Sequence, residues 1–293
     1  MSLDGVYIVT RWIHFSALYL MFGISIYVEC LTPGAFRPAS RSRTRLMLHG
    51  CTIVACVCAG VLLCLQAGQM GNGWPDAFDP STWLAVLGTS FGRVWRWQLG
   101  LSGLALLCVL TGLGRQRHGI LPVLSTLMLL CMAFVGHAAS HKGYVNAIAG
   151  VNQAVHLFSG AYWLGCLIPL LWTMAYLKTA HRQDVIRTHI RFSSIGHFAV
   201  IAVVVSGLVN IGLVLGAWPL QWSSIYQRLL LVKIMLVGLM TLLALVNRYV
   251  LVPRMNGDST NAVDMFARLV GVEIALGLGV LGLVSWFATL EPV

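Results

Sequence analysis

The chain of 293 residues is 58% hydrophobic and only 10% charged, whereas soluble domains contain about 25% charged residues. This composition excludes a soluble globular protein. The formal net charge of +10 would suit a nucleic-acid partner in a polar chain, but so few polar residues cannot build such a face, and we expect no nucleic-acid binding.

Eight apolar segments, separated by short polar ones, follow each other along the chain. Each is close to the roughly 20 residues that an α-helix needs to cross a bilayer. We therefore predict an all-α polytopic membrane protein, with a single transmembrane domain over residues 1–293. The eight predicted spans are 6–29, 46–67, 94–113, 119–140, 149–177, 194–217, 228–252 and 266–290.

The first span and the eight cysteines are expected to belong to the membrane domain itself. Asp4 precedes the first span, Arg11 and His14 interrupt it, and no small-residue cleavage site follows, so it is not read as a cleaved signal peptide. The cysteines lie within or at the ends of apolar runs and form no CxxC pair. We predict that they are small hydrophobic residues rather than disulfide partners.

Basic residues between the spans predict the orientation of the chain. Most Lys and Arg residues lie after spans one, three, five and seven. Such loops face the cytoplasm, which places both termini in the periplasm. The longest loop on the opposite side, 68–93, is expected to lie at the membrane surface or to fold back.

The two halves of the chain, 1–140 and 149–293, resemble each other weakly. Gly23 follows His14 by the same spacing by which Gly165 follows His156. Repeats of four spans each would be parallel, related by an axis along the membrane normal, and would place both histidines at one depth. The alternative is that two apolar helices share a histidine and a glycine by chance.

Histidines within or at the ends of the spans are the candidate metal ligands. An imidazole in hydrocarbon must be hydrogen-bonded, ligated or in contact with water. His14 and His156 are expected about 10 to 12 Å below the outer surface, and His137 and His141 on one face of span four at its outer end. Imidazoles without a nearby carboxylate favour copper or zinc, and a thioether favours Cu(I). These four histidines and Met70 form the predicted metal site, although any one histidine alone is as well explained by a bond to a carbonyl or hydroxyl.

Other polar or sulfur-bearing residues in the spans have separate explanations. Asn152, one turn before His156, is expected to hold the histidine ring or to line the same cavity. Met128 and Met132 are expected mainly to fill the core. Lys233 is within reach of the outer surface, whereas Glu273 has no clear partner and is protonated, paired or part of an ion path.

Two other hypotheses remain open. The outer pair His14 and His156, with the inner pair His49 and His197, would suit two bis-histidine b-type haems of an electron-transfer protein. An assembly or scaffold subunit, in which the histidines only pack, is the third possibility. His189, in a basic loop, is expected to be solvated.

Several short motifs occur in a particular order along the chain. They are Arg11-Trp12-Ile13-His14 with Gly23 and Pro33, Gly136-His137-Ala138, His156 with Trp163-Leu164-Gly165, Arg191-Phe192-Ser193 with Ser206-Gly207 and Asn210, Leu229 to Lys233, Asn247-Arg248, and Glu291-Pro292. This order resembles the copper resistance protein D (CopD/PcoD) family of bacterial inner-membrane proteins over nearly the whole chain.

The resemblance implies a membrane protein that handles copper ions in uptake, homeostasis or resistance, and that is not an enzyme. His14, His137 and His156 match the histidine positions of the family. The resemblance also implies a periplasmic CopC-like carrier that delivers copper, and since no such domain is recognisable in this sequence, the carrier is expected to be a separate protein.

Overall fold

A computed structural model describes residues 2–112, 116–135, 144–215, 224–254 and 260–290. Within these ranges every regular element is helical. The helices are α1 (Leu3–Ile26), α2 (Arg37–Met70), α3 (Trp74–Ala77), α4 (Pro80–Gly88), α5 (Ser90–Leu110), α6 (Gln116–Ala133), α7 (Tyr144–Thr173), α8 (Arg182–Leu215), α9 (Ile225–Val246), α10 (Val252–Arg254) and α11 (Thr260–Phe287). Two π-helical segments, Tyr27–Leu31 and Asn247–Leu251, and a 3₁₀ segment, Met174–Lys178, follow α1, α9 and α7.

The described part of each predicted span falls on a helix, including α5 for the third span and α6 for the fourth. Six of these helices, α1, α2, α7, α8, α9 and α11, are long and apolar enough to cross a membrane. The prediction of an all-helical polytopic membrane protein is therefore confirmed for the described ranges. That α5 and α6 also cross the bilayer, which would make eight spans, stays a prediction.

Two helices begin well before their predicted spans. α2 begins at Arg37 rather than at 46, and α8 begins at Arg182 rather than at 194. Hydropathy marks the start of an apolar stretch, but Arg is a good helix former, so the helix continues into the polar segment. Within the extension of α2, Arg41 forms a two-point ion pair with Glu29 at 2.9 and 2.6 Å.

The centre of the molecule is the crossing of α1 and α7. A Cβ atom built on Gly23 would overlap the backbone of Gly165, and one built on Gly165 would overlap the carbonyl of Tyr19. The Cys166 thiol donates to the Gly23 carbonyl at 3.3 Å. The two helices therefore touch backbone to backbone, as small residues permit between membrane helices.

Helices pair in the same order in both halves. α1 packs on α2 and α5 on α6, while α7 packs on α8 and α9 on α11. α2 and α8 are both 34 residues long. This is the arrangement that parallel repeats would have, although the repeat itself stays a prediction.

Sulfur-containing side chains lie largely in the core. Met128 and Met132 of α6 are buried in the main apolar cluster, as a packing role predicts. All eight cysteines are unpaired, and four of them are buried, whereas Cys30 is exposed. The four buried cysteines thus pack as small hydrophobic residues, as predicted.

The segment predicted to lie at the surface or fold back contains α3 and α4. α4 packs against α2 and α5, and the Trp83 indole donates to the Ala77 carbonyl at 2.9 Å. Asp79 caps α4 by accepting the backbone N–H groups of Ser81 and Thr82. Hydrogen bonds from the side chains of the same two residues to the carboxylate lower the pKa of Asp79 to about 2.

Candidate functional site

His14 lies in a closed pocket between α1, α2 and α5. Its ring is 0% exposed, and its Nε2 atom is 3.1 Å from the amide nitrogen of Gln98 in α5. The ring centroid is 5.9 Å from that of Trp95, whose indole donates to the Ala59 carbonyl of α2 at 3.0 Å. Trp95 therefore holds α5 against α2 and places Gln98 at the histidine.

Two polar atoms in the His14 pocket have no hydrogen-bond partner. They are Nδ1 of His14 and Oε1 of Gln98, and both are buried. The Ala55 carbonyl of α2 lies beside the ring, but it does not reach Nδ1 with hydrogen-bond geometry. Leaving a buried polar atom unsatisfied costs about 1 to 3 kcal/mol, so a partner for either atom would stabilise this region.

The Gln98 side chain can also act as the acceptor, rather than the donor, in its hydrogen bond with His14. A rotation by half a turn exchanges the amide oxygen and nitrogen, so that the oxygen accepts from a protonated Nε2. The lone pair of His14 then lies on Nδ1. Fixing the tautomer of a histidine through its second nitrogen is the usual role of a residue next to a metal ligand.

His156 lies in a more open position, between α7 and α8. Its Nδ1 atom is 3.0 Å from the Ser206 hydroxyl, and that hydroxyl donates to the Ala202 carbonyl. Because the single hydroxyl hydrogen is used in this way, Ser206 accepts the N–H of Nδ1, and the lone pair of the ring lies on Nε2. The ring is only partly buried, and Lys233 of α9 is near enough to interact with it electrostatically.

Asn152 supports the same serine rather than the histidine ring. Its amide nitrogen donates to the Ser206 carbonyl at 3.0 Å and to the Asn210 side chain at 2.8 Å. Asn210 in turn donates to Gln153 at 2.9 Å. These bonds fix α8 against α7, so Asn152 acts on His156 indirectly.

The structure does not bring His14 and His156 to a common partner. His14 bonds to Gln98 in the first half, whereas His156 bonds to Ser206 in the second half. Within the described ranges, no group of three or more His, Cys, Asp or Glu side chains is placed to hold a metal ion. His137 and His141 lie outside the described residues, so a site that includes them stays a prediction.

Met70 lies far from both rings along the helix axes. It is the last residue of α2 and is 55% exposed, and the neighbouring Gln69 bonds to Asp4 at the start of α1 at 3.1 Å. His14 is ten residues farther along α1, or about 15 Å. The described structure therefore places Met70 at the end of the bundle where α1 begins, away from His14.

The histidines toward the other end have partners of their own. His197 has Nδ1 at 2.7 Å from the Ser193 carbonyl and Nε2 at 3.0 Å from the Tyr249 hydroxyl. His189 lies in α8 rather than in a loop and is 3.2 Å from the Thr173 hydroxyl, so the expectation of a solvated ring is wrong. The long N-terminal extension of α8 is the reason. The bis-histidine haem arrangement, with His49 as the partner of His197, stays a prediction.

Sequence reasoning missed the residues that position His14 and His156. Ser206 stands in an apolar run, and Gln98 lies between Trp97 and Leu99 in a helix that also contains Arg96 and Ser102. Polar side chains in spans often bond across helices, and this was the available signal. Which histidine each one meets depends on how the helices are rotated against each other, which the spacing along one helix does not determine.

These features define a polytopic helical membrane protein with a positioned histidine in each half. The chain matches the family described as copper resistance protein D-like, N-terminal domain, over residues 2–147, and that described as copper resistance protein D over residues 186–287. It is 39% identical over 286 residues to inner membrane protein YebZ of Escherichia coli (strain K12), which covers 98% of each chain. It is 27% identical to copper resistance protein D of Pseudomonas syringae pv. tomato, over 99% of this chain and 97% of that one.

No solved structure matches the chain. The chain belongs to the copper resistance protein D family, as the order of its motifs predicted. Members of this family are membrane proteins linked to copper resistance.

Proposed function

We propose that this protein binds copper ions and carries them at the bacterial inner membrane, and that His14 is the first of its copper-contacting residues. The observation that carries the proposal is the His14 pocket, where a fully buried imidazole nitrogen and a buried amide oxygen both lack hydrogen-bond partners. Once the Gln98 amide is rotated, its oxygen accepts the N–H of Nε2, and the lone pair of His14 lies on Nδ1. A soft or borderline cation is proposed to bind at this Nδ1 atom.

The chemistry of the pocket favours copper over harder cations. Calcium and magnesium require several carboxylate or carbonyl oxygens, whereas the pocket offers an imidazole, one amide and an indole ring. Imidazole is a good ligand for copper. The family links this chain to copper resistance, and the relative from Escherichia coli is described as an inner membrane protein.

His156 is the second proposed copper contact. Its Nε2 lone pair is fixed by the bond from Nδ1 to Ser206, which is the geometry that a ligating histidine requires. His137 and His141 are proposed as further ligands, and Met70 as a thioether that a copper ion meets at the outer end of the bundle. Copper ions are thus proposed to move from one of these residues to the next, and the protein is proposed to catalyse no chemical reaction.

The topology proposed here follows from the charges between the spans. Eight spans, in two parallel groups of four, place both termini in the periplasm and the Arg-rich start of α2 in the cytoplasm. A separate periplasmic CopC-like carrier is the proposed source of copper. It would deliver copper at the end of the bundle where α1 begins and α2 ends.

The experiment that tests the function is elemental analysis by mass spectrometry of the detergent-purified protein after exposure to copper and removal of the excess. We expect copper in the wild-type protein, a lower content after His14→Ala, and no change after His181→Ala. His181 is the matched control because it is a histidine on the surface of the molecule, beside Asp184. Wild-type protein without copper would overturn the proposal, and iron in the same sample would favour the haem hypothesis.

A further inference from the structure

Glu273 is a carboxyl group near the midpoint of a membrane-crossing helix. It lies in α11 (Thr260–Phe287) and is only 2% exposed. The ion pairs within the described residues are Arg41 with Glu29 and His181 with Asp184, so no described cation pairs with Glu273. An ionisable group in this position is expensive and usually functional.

Two neutral donors contact Glu273. The amide nitrogen of Asn247 donates to Oε1 at 2.5 Å, and the Trp163 indole of α7 also bonds to the carboxyl group. Both donors are buried, each at 5% exposure. The amide oxygen of Asn247 is buried as well and has no hydrogen-bond partner.

The unpartnered amide oxygen of Asn247 can accept a hydrogen bond from Glu273 when the carboxyl group of Glu273 is protonated. An ionised carboxylate that faces only neutral donors is strongly disfavoured in a low-dielectric interior, whereas a neutral carboxyl group needs an acceptor for its own hydrogen. Half a turn of the Asn247 amide brings that oxygen to Glu273. One side chain therefore serves both states, as a donor to the carboxylate and as an acceptor from the acid.

The backbone around Asn247 departs from a regular α-helix. Asn247 is the first residue of the π-helical segment Asn247–Leu251, in which α9 continues with wider turns. Such segments are often found at functional sites. The interruption lies directly beside the carboxyl group, because Asn247 bonds to Glu273.

Other titratable or charged side chains on the surrounding helices are directed elsewhere. The partners are Phe15 for Arg11, Gln66 for Tyr7, Thr173 for Tyr27, Ser206 for His156, the Phe192 carbonyl for Tyr162, the Gly23 carbonyl for Cys166, Phe287 for Lys233 and His197 for Tyr249. Arg248, Arg254, Asp264 and Arg268 are nearer the ends of their helices, and none of the three arginines is within ion-pair distance of Glu273. Glu273 thus responds to protons without a competing charged partner.

We propose that Glu273 is a proton-exchange site, that Asn247 is its positioning residue, and that this proton is the co-ion for the copper movement proposed above. On release, the O–H bond of the acid breaks, the electron pair stays on the carboxylate oxygen, and the proton passes to water. α7 couples the two ions, because it carries both Trp163 and His156, seven residues or about two turns apart on one face. The coupling part of this inference rests on the proposed function, whereas proton exchange at Glu273 does not.

Infrared difference spectroscopy between acid and alkaline buffer tests proton exchange without copper. We expect a carbonyl stretch of a protonated carboxylic acid that disappears at alkaline pH in the wild-type protein. Glu273→Gln should remove this band, and Glu29→Gln, which removes a glutamate paired with Arg41, should leave it. Asn247→Leu should shift the band and the pH at which it disappears, which also tests the positioning role if Glu273→Gln fails to fold.

A band that is the same in both buffers, or one that survives Glu273→Gln, would overturn the proposal. Copper flux into vesicles containing the purified protein, with and without an imposed pH gradient, then tests the coupling. We expect Glu273→Gln to keep the wild-type copper content and to lose the effect of the gradient, whereas His14→Ala should keep the infrared band and bind less copper. Wild-type flux that ignores the gradient would overturn the coupling while leaving copper binding intact.

Discussion

Gly23 and Gly165 meet backbone to backbone where α1 crosses α7, and each lies nine residues after the histidine of its own helix. Nine residues are about two and a half helical turns, so each histidine lies on the side of its helix opposite the crossing. The crossing thus places His14 and His156 at a similar level, about 13 Å away from it along each helix axis, and directs them to different neighbours.

This geometry determines how many copper positions the proposed function requires. Two histidines that face away from each other cannot both ligate one ion without rotation of α1 or α7. The proposal therefore requires two copper positions, one with Gln98 and one with Ser206. The two positions differ in solvent exposure, because the His14 ring is fully buried and the His156 ring is only partly buried.

Replacing Gln98 by leucine should weaken copper binding at His14. The substitution removes the bond to Nε2 and leaves that nitrogen unsatisfied in a buried pocket, which costs about 1 to 3 kcal/mol of stability. Copper affinity by competition with a chelator and thermal unfolding in detergent measure the two effects. Gln69→Leu is the control, since Gln69 bonds to Asp4 at an exposed position, and an equal loss of affinity in the control would contradict the prediction.

Replacing Ser206 by alanine should weaken copper binding at His156. The substitution removes the acceptor that holds Nδ1–H, and loss of such a partner reduces metal affinity about tenfold to a hundredfold. The measurement is a copper titration in a chain that also carries His14→Ala, so that His156 is observed alone. Ser285→Ala is the matched control, because Ser285 is a buried serine that bonds only to the Leu281 carbonyl of its own helix. Equal affinities in the two variants would show that Ser206 has no such role.

Substituting alanine for Gly23 or Gly165 should separate α1 from α7. A methyl group at either position overlaps backbone of the other helix, and overpacking of this kind costs about 1 to 3 kcal/mol or more. Thermal unfolding of the purified protein measures the effect. Gly103→Ala on α5, where the added carbon meets open space, should be neutral or stabilise by up to about 1 kcal/mol. A similar unfolding temperature for all three variants would mean that the crossing tolerates wider separation.

The cap of α4 should persist in mild acid. The pKa of Asp79 is lowered to about 2 by the hydroxyls and N–H groups of Ser81 and Thr82. A lowered pKa in the folded state means that the stabilisation is complete above the ordinary aspartate value and is lost as the pH falls through about 2. The amides of residues 80–88 should therefore stay protected from hydrogen–deuterium exchange from neutral pH through the ordinary aspartate pKa, and lose this protection only as the pH approaches about 2. Asp79→Ala should exchange quickly at neutral pH, and protection that disappears at the ordinary aspartate pKa would contradict the assignment.

The orientation of the chain can be tested with reporter fusions. Alkaline phosphatase, which is active only outside the cytoplasm, should be active when fused to the C-terminus and inactive when fused within the Arg-rich start of α2. The reason is that basic residues between spans are retained on the cytoplasmic side. A green fluorescent protein fused at the same sites should give the opposite pattern. Phosphatase activity at both sites, or at neither, would contradict eight spans with periplasmic termini.

The ends of the helices show what a local pattern can predict. Within the described residues, the apolar stretches predicted the positions of the six helices that are long and apolar enough to cross a membrane, because burial of about 20 consecutive apolar residues in a bilayer depends on composition alone. The same pattern missed the extension of α8, and with it the position of His189, because helix formation continues where hydrophobicity ends. The ion pair of Glu29 with the Arg-rich segment was predictable, since both groups lie at the same span end and are close in sequence.

The sequence by itself determined a polytopic helical membrane protein, its family, and the presence of a histidine and a glycine at matching positions on two helices. Apolar length, charge placement and motif order are properties of one chain segment at a time, so no tertiary information was needed for them. Only the tertiary structure decided that His14 meets Gln98, that His156 meets Ser206 and that Glu273 meets Asn247. These side-chain contacts depend on the rotation of each helix about its axis, and that rotation is fixed by close contacts such as that between Gly23 and Gly165.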